Sequence, residues 1–159
     1  MTGILWAVLQ DTLSVRPLYS EGSPHHATLF YGVERKAWEE IIGLPMTISG
    51  IGLAHDSRIQ AIRVVLPTWC PCQNPAPHVT VSWQPGVQPV EANAMLAAGD
   101  RIETDFDLAI HTRIEFLEWS PEPQVRLCSV CGEAKLRSDN KTGVCSRCQR
   151  SKQPNSRYR

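Results

Sequence analysis

The sequence predicts an α+β fold with two similar halves, followed by a small second unit. Short strand patterns alternate with two helical patterns over residues 3–119. A His-x-Thr phrase stands in two of these strands, as HATL at 26–29 and as HVTV at 78–81. The composition changes after Pro121 and Pro123, where the chain becomes basic and rich in cysteine.

The first half has the pattern of two strands, a helix and a hairpin. GILWAVL at 3–9 predicts a buried strand, and a loop then leads to a second strand at 26–31. Residues 34–43 predict a helix that ends at Gly43, because apolar residues recur at helical spacing (Ala37, Trp38, Ile41 and Ile42). MTISGIGLA and RIQAIRVVL flank a polar HDS turn and predict a β-hairpin.

The second half repeats this order after a proline-rich loop at 67–77. Residues 78–83 predict a strand, and 89–98 predict a helix with Pro89 in its first turn. The stretch 101–119 predicts one or two strands.

Charge separates the body of the chain from its end. Residues 1–125 carry 7 Lys and Arg against 14 Asp and Glu, a net charge of −7; residues 126–159 carry 9 against 2, a net charge of +7. A basic end favours contact with a polyanion, although a solubilising tail has the same charge. The chain has no apolar run of membrane-spanning length, which predicts a cytoplasmic protein with reduced thiols and no membrane contact.

The two His-x-Thr phrases carry the chemistry. Side chains alternate along a strand, so His26 and Thr28 project from one face of theirs, and His78 and Thr80 from one face of the other. If the strands meet, two imidazoles and two hydroxyls surround one small volume. A neutral imidazole can accept a proton and a charged one can donate a proton to a leaving oxygen, while the hydroxyls bind phosphate oxygens. Two hydrogen-bonded structural histidines are the alternative.

Other candidates near these phrases have weaker support. Tyr31 and Trp69 are candidates for stacking on a nucleobase. His25 is expected to point to the opposite face from His26, and Trp83 is expected in the core. His55 matches the phrase loosely, as HDS, but belongs to the predicted turn.

The paired HATL and HVTV phrases resemble the signature of the 2H phosphoesterase superfamily. The wider stretch PHVTVSWQPGVQPVEANAML is similar to the second-motif region of the cyclic phosphodiesterase domain of fungal and plant tRNA ligases. The resemblance implies a bilobal α+β fold with pseudo-two-fold symmetry over residues 1–122, with the site in a cleft between the lobes. It also implies a catalytic acid and base in His26 and His78, and phosphate binders in Thr28 and Thr80, with no metal needed for catalysis.

Four cysteines near the C-terminus predict one structural zinc ion in a ribbon over residues 126–151. Cys128-x2-Cys131 and Cys145-x2-Cys148 supply four thiolates, and Gly132 and Gly143 supply the tight turns. The ribbon is a candidate for nucleic-acid or protein contact, and the tail at 152–159 is predicted to be disordered. Cys70 and Cys72 receive no chemical role.

The first functional hypothesis is a phosphodiesterase acting on a 2′,3′-cyclic phosphate, or on a 2′–5′ or 3′–5′ linkage, of RNA or a small nucleotide. A second keeps the site but changes the substrate to a cyclic oligonucleotide or an ADP-ribose-derived signal. A third is a non-catalytic RNA-binding adaptor that binds through its zinc ribbon.

Overall fold

The computed structural model describes residues 2–119, 128–132 and 142–151. The chain divides into two compact units, Met1–Trp119 and Ser120–Arg159. The boundaries predicted at residues 122 and 126, and the tail at 152–159, lie outside the described residues. Within the described ranges, no helix is long and apolar enough to cross a membrane.

The first unit is a closed antiparallel barrel of six strands. Its order around the barrel is β1-β2-β5-β4-β3-β6. The strands span Thr2–Leu9 (β1), His26–Glu34 (β2), Pro45–His55 (β3), Ile59–Val65 (β4), His78–Trp83 (β5) and Ile102–Glu118 (β6).

Strand β6 closes the barrel because it is long enough to pair on two sides. Its 17 residues bind β3 from Ile102 to Arg113 and β1 from Thr112 to Glu118. On the opposite side, β2 meets β5 at a single register pair, Ala27 with Val79. That narrow contact places the two motif strands side by side.

The main core fills the inside of the barrel. Alternate residues of every strand contribute to it, and many are fully buried, among them Leu5, Ala27, Ile48, Ile62, Val79 and Ile114. A second cluster lies around Ala61 on β4, where helix α1 (Ala92–Ala97) buries Met95 and Leu96. The sheet is therefore covered by α1 near β4 and remains accessible on the outside near β2.

The predicted α+β fold with two lobes is wrong. Strands dominate the first unit, and they form one sheet that closes on itself instead of two lobes related by a pseudo-two-fold axis. The repeated phrase marks two neighbouring strands of this barrel. Local sequence patterns indicated strands in both halves, but they did not reveal that β6 pairs with both β1 and β3.

The predicted helix at 34–43 is also wrong. Only Arg35–Trp38 forms a 3-10 helix, its N-cap has no side-chain hydrogen bond, and turns follow to Gly43. The Gly43 amide donates to the Ile114 carbonyl on β6 (2.7 Å), so the chain pairs with the sheet here instead of continuing a helix. The apolar residues at helical spacing, Ile41 and Ile42, instead pack against the barrel core from a turn.

The helix predicted at 89–98 and the predicted β-hairpin are both present in the structure. Residues Pro89–Glu91 form a 3-10 turn with a capping box to Gln88, and α1 continues from it. The β3–β4 hairpin turns at Asp56, whose carboxylate accepts from the Arg58 and Ile59 amides at 2.8 and 2.9 Å. His55 was expected in this turn, but it is the last residue of β3 and pairs with Gln60, so Asp56 alone makes the turn hydrogen bonds.

Candidate functional site

Four motif side chains lie on the outer face of two adjacent strands. We call them the motif patch: His26, Thr28, His78 and Thr80. Their neighbours Ala27 and Val79 face each other inside the barrel and are fully buried. Because strand side chains alternate, the four motif side chains project from the opposite face, where each is partly exposed.

The antiparallel register sets the arrangement within the motif patch. With Ala27 opposite Val79, His26 lies opposite Thr80 and Thr28 lies opposite His78. Residues opposite each other are about 5 Å apart and diagonal ones about 7–8 Å. The two histidines therefore occupy one diagonal and the two threonines the other. The sequence predicted the meeting of these four groups, but they share one sheet face instead of facing each other across a cleft between lobes.

His26 lies in an aromatic pocket on this face. Its ring packs at 4.3 Å, centroid to centroid, on Trp6, which is the register partner of Thr28 on β1. Its Nδ1 lies 3.0 Å from the Nδ1 of His25. Burial, and after it the charges of His25 and His78, together lower the pKa of His26 to about 4. At neutral pH this imidazole is uncharged and its Nε2 remains for a substrate.

His78 has a different partner on the same ring atom. Its Nδ1 lies 2.9 Å from the carbonyl oxygen of Ala76, to which it donates. Burial lowers the pKa of His78, and the hydrogen bond to that carbonyl opposes the shift. This bond fixes Nδ1 as the donor, so Nε2 is again the ring atom available to a substrate.

The 67–77 loop borders the patch beside Thr28. The Gln73 amide donates to the Leu29 carbonyl at 2.8 Å, and the Cys72 thiol lies 3.8 Å from the Thr28 carbonyl oxygen. Burial raises the pKa of the Cys70 thiol to about 11 and raises that of Cys72. Both thiols are protonated at neutral pH, so they pack as small apolar groups.

The two aromatic candidates have different positions. A bulge at Leu29 breaks the alternation of β2, so that Tyr31 pairs with Ile4 and follows Thr28 on the outer face. Tyr31 is 64% exposed, and its ring contacts Trp119 edge-on at 4.5 Å. Trp69 lies in the 67–77 loop, and no ring contact among residues 2–119 joins it to the motif patch.

Three residues near the patch were missed by sequence reasoning. Trp6 was assigned only to a buried strand, and Arg63, the register partner of His78 on β4, received no role. His25 was expected on the opposite face, which is wrong because it precedes the first residue of β2, so strand alternation does not apply to it. The positions of these residues depend on which residues pair between neighbouring strands, and a single sequence does not reveal that pairing. Trp83 packs against the second core cluster, as expected.

The four C-terminal cysteines form a cluster of their own in the second unit. One ligand atom from each of Cys128, Cys131, Cys145 and Cys148 lies within 4.8 Å of all the others. Tetrahedral zinc with sulfur ligands at about 2.3 Å needs such spacing. The Cys145 amide donates to the Cys128 sulfur at 3.3 Å, and hydrogen bonds of this kind lower the pKa of Cys128.

Both predicted knuckle glycines adopt a backbone conformation that favours glycine. Gly132 has φ of +69° and Gly143 has φ of +68°. The Gly132 amide donates to the Cys128 carbonyl (2.8 Å), and the Gly143 carbonyl accepts from the Ser129 amide (2.9 Å). The cluster is compatible with a structural zinc site. Helix α2 (Ser146–Ser151) begins directly after Cys145 and carries Cys148.

Comparison with known families agrees with the resemblance seen in the sequence. The model of the fungal tRNA ligase phosphodiesterase domain family matches residues 45–126, just over half of the 159-residue chain. The matched span includes the second phrase, with His78 and Thr80, and leaves out the first. No curated protein matches the chain. The chain therefore belongs to the fungal tRNA ligase phosphodiesterase domain family, which supports phosphodiesterase activity on RNA.

Proposed function

We propose that the motif patch is a phosphodiesterase site that opens a 2′,3′-cyclic phosphate at an RNA end by His/His acid–base catalysis. The observation that carries this proposal is the diagonal arrangement on one accessible face, with Nδ1 of both histidines already engaged. A phosphorus atom above the centre of the patch has an imidazole on each side and a hydroxyl on each remaining side. An in-line displacement needs such an arrangement, with base and acid on opposite sides.

His26 is the general base in this proposal and His78 the general acid. The neutral Nε2 of His26 takes a proton from the attacking water as its oxygen bonds to phosphorus. The charged His78 gives its Nε2 proton to the ribose oxygen as the bond from phosphorus to that oxygen breaks. Burial and two neighbouring charges oppose protonation of His26. Burial also opposes protonation of His78, but there the hydrogen bond to the Ala76 carbonyl acts in the other direction.

The threonines bind the phosphate. Thr28 and Thr80 lie on the other diagonal, so their hydroxyls can donate to the two non-bridging oxygens. Charge on these oxygens grows as the water attacks, and pre-placed donors stabilise that charge. The step requires no metal ion, because both proton transfers and both oxyanion contacts come from these four side chains.

Tyr31 is the candidate for stacking on the base next to the cleaved phosphate. It lies one row beyond Thr28 on the same face, and 64% of its surface is exposed. Stacking on an aromatic ring contributes about 1–3 kcal/mol per base. Trp69, in the 67–77 loop, remains the second candidate.

The experiment that tests the function is a substrate panel. The full chain is incubated, in excess chelator, with 2′,3′-cyclic nucleotides, RNA ending in a 2′,3′-cyclic phosphate, 2′–5′ and 3′–5′ dinucleotides, and cyclic dinucleotides. Product masses are then read. We expect addition of one water to the cyclic-phosphate RNA, with the 2′ or 3′ position of the product phosphate read by nuclease digestion.

The same panel tests the other functions. Cleavage of cyclic dinucleotides or ADP-ribose-derived nucleotides, without action on RNA ends, would replace the RNA substrate by a signalling nucleotide. No turnover of any member, together with RNA affinity that is unchanged in His26→Ala, would identify a non-catalytic adaptor. We also propose that the protein carries out this reaction in the cytoplasm.

We further propose one zinc ion in the cysteine cluster, held by four thiolates with no ligand position left for water. Its role is structural, since a segment with so few apolar residues depends on metal for its folding energy. Native mass spectrometry of the full chain should show one zinc per chain. Changing Cys128 and Cys131 to Ser should remove it, whereas changing Cys70 and Cys72 to Ser is the matched control and should retain it. Retained zinc in the first variant would contradict this ligand set.

A further inference from the structure

Arg63 extends the motif patch by one strand. It is the register partner of His78 on β4, just as Thr28 lies opposite His78 on β2. Its neighbour Ile62 is fully buried, so the Arg63 side chain projects from the outer face. A guanidinium, which stays charged at every relevant pH, therefore stands on the same face as both histidines.

A carboxylate holds this guanidinium through one nitrogen only. The Arg63 Nε donates to the Glu103 Oε1 at 2.7 Å. Gly52 is opposite Arg63 on β3, and a Cβ atom there would lie 2.4 Å from that same oxygen. The glycine thus leaves room for the Glu103 side chain to reach Arg63 across the strand.

Arg63 shares its carboxylate partner with a second arginine. Glu103 also binds the Arg101 Nη2 at 3.3 Å, so two guanidiniums share one carboxylate. Within residues 2–119, no hydrogen bond engages the two terminal nitrogens of Arg63, and 40% of its side chain is exposed. One positive charge with free, directed donors therefore faces solvent beside the patch.

We propose that Arg63 binds a second phosphate of the substrate, the phosphodiester one nucleotide before the terminal cyclic phosphate. This inference rests on the proposed function and names its substrate class as an RNA end instead of a free cyclic mononucleotide. With neighbouring strands about 4.8 Å apart, the row of β4 lies about 7 Å from the centre between β2 and β5. Glu103 draws the guanidinium further toward β3. Arg63 is thus displaced from the cleaved phosphate by a distance on the scale of one nucleotide step.

The test compares three substrates, two of which are trinucleotides that differ only by a single charge. They are a cyclic mononucleotide, a trinucleotide ending in a 2′,3′-cyclic phosphate, and the same trinucleotide with a neutral methylphosphonate at its last internal linkage. We expect the full chain to prefer the charged trinucleotide. In Arg63→Gln, kcat/KM for this substrate should fall about tenfold, since one partly exposed, charge-assisted hydrogen bond to the phosphate is lost. The values for the other two substrates should stay within about twofold.

Two variants control for the lost ion pair. Arg63→Lys keeps the charge and should retain part of the preference. Glu103→Gln breaks the same ion pair but leaves the guanidinium, so it should keep the full preference, and thermal unfolding of each variant reports its folding. The proposal would be overturned if Arg63→Gln lowered kcat/KM equally for all three substrates. It would also be overturned if the wild type had the same kcat/KM for the charged and the methylphosphonate trinucleotides.

Binding separates this proposal from the phosphodiesterase itself. The affinity for a trinucleotide carrying a terminal 3′-phosphate is measured by calorimetry at several salt concentrations. Arg63→Gln should weaken binding and reduce the slope of log K against log salt by about 0.7, the value for one phosphate contact in a single strand. If the chain turns over no substrate but keeps this Arg63-dependent binding, the proposed catalysis fails and the second phosphate site stands. If Arg63→Gln leaves the salt slope unchanged while the wild type turns over its substrate, only the proposed Arg63 site is contradicted.

Discussion

The same His-x-Thr phrase stands on β2 and β5, yet its two histidines have different surroundings. The His26 Nδ1 lies against the imidazole of His25, and its ring packs on Trp6. The His78 Nδ1 donates to the carbonyl of Ala76. Burial opposes a proton on both imidazoles; neighbouring charges add to this effect at His26, whereas the Ala76 carbonyl counteracts it at His78. The same His-x-Thr phrase thus yields two histidines with different surroundings, and the difference comes from residues outside the phrase.

The largest expected effect is the loss of either motif histidine. Because each proton transfer contributes about 10²–10⁴-fold, His26→Ala and His78→Ala should each lower kcat on cyclic-phosphate RNA by that factor. Both act in one step, so the double variant should lose far less than the product of the two single losses. Initial rates from product masses give the measurement.

His111→Ala is the matched control for these variants. His111 is an exposed histidine on β6 that contacts Thr47, and β1 separates it from β2. Its removal should leave kcat unchanged. If His26→Ala or His78→Ala left kcat unchanged like this control, that histidine would have only a structural role. The proposed acid–base pair would then be wrong.

A smaller effect is expected from the threonines. Thr28→Val and Thr80→Val keep the shape and remove the hydroxyl, so each should lower kcat/KM about 10- to 100-fold through one lost bond to a charged phosphate. Thr→Ser at the same positions keeps the donor and should retain most activity. Because the threonines occupy equivalent corners, the two losses should be similar. A strong loss at one position alone would show that the phosphate binds off-centre.

Local sequence was enough to predict which side chains share a face of one strand and which cysteines belong to one zinc knuckle. Alternation put His26 and Thr28 on a common face, and the spacing of the cysteine pairs indicated the cluster that the structure brings together. In both cases residues close in the chain decide the geometry. The strand assignments for β1, β2, β4 and β5 hold for the same reason.

Apart from the meeting of the two repeated phrases, contacts between distant residues could not be predicted from the sequence. Closure of the barrel depends on β6 continuing for 17 residues and on one register pair between β2 and β5. The bulge at Leu29 turned Tyr31 onto the outer face, against simple alternation. Ile41 and Ile42 matched a helix, but core packing was satisfied from a turn. In each case tertiary pairing overrode a local preference.

The pH dependence of the wild type sharpens the comparison between the two histidines. The base must be neutral, so kcat/KM should fall as pH drops through the pKa of His26, at about 4. The acid must be charged, so kcat/KM should fall as pH rises through the pKa of His78, which is lowered from 6.5. The profile should therefore be a bell with its maximum on the acidic side of 6.5. A maximum above pH 7 would contradict these roles.

The smallest effect, and the most direct test of the difference, is a change at His25. His25→Gln keeps a hydrogen-bonding group beside the His26 Nδ1 but removes one of the two charges that, together with burial, lower the pKa of His26. The acidic limb of the kcat/KM profile should move to higher pH, and the basic limb, which belongs to His78, should stay. Activity at the maximum should change less than about tenfold, since His25 positions the base and does not touch the substrate. His25→Ala also removes the hydrogen bond, so a further loss of kcat there measures the positioning alone. If the basic limb moved instead, the base and the acid would have to be exchanged.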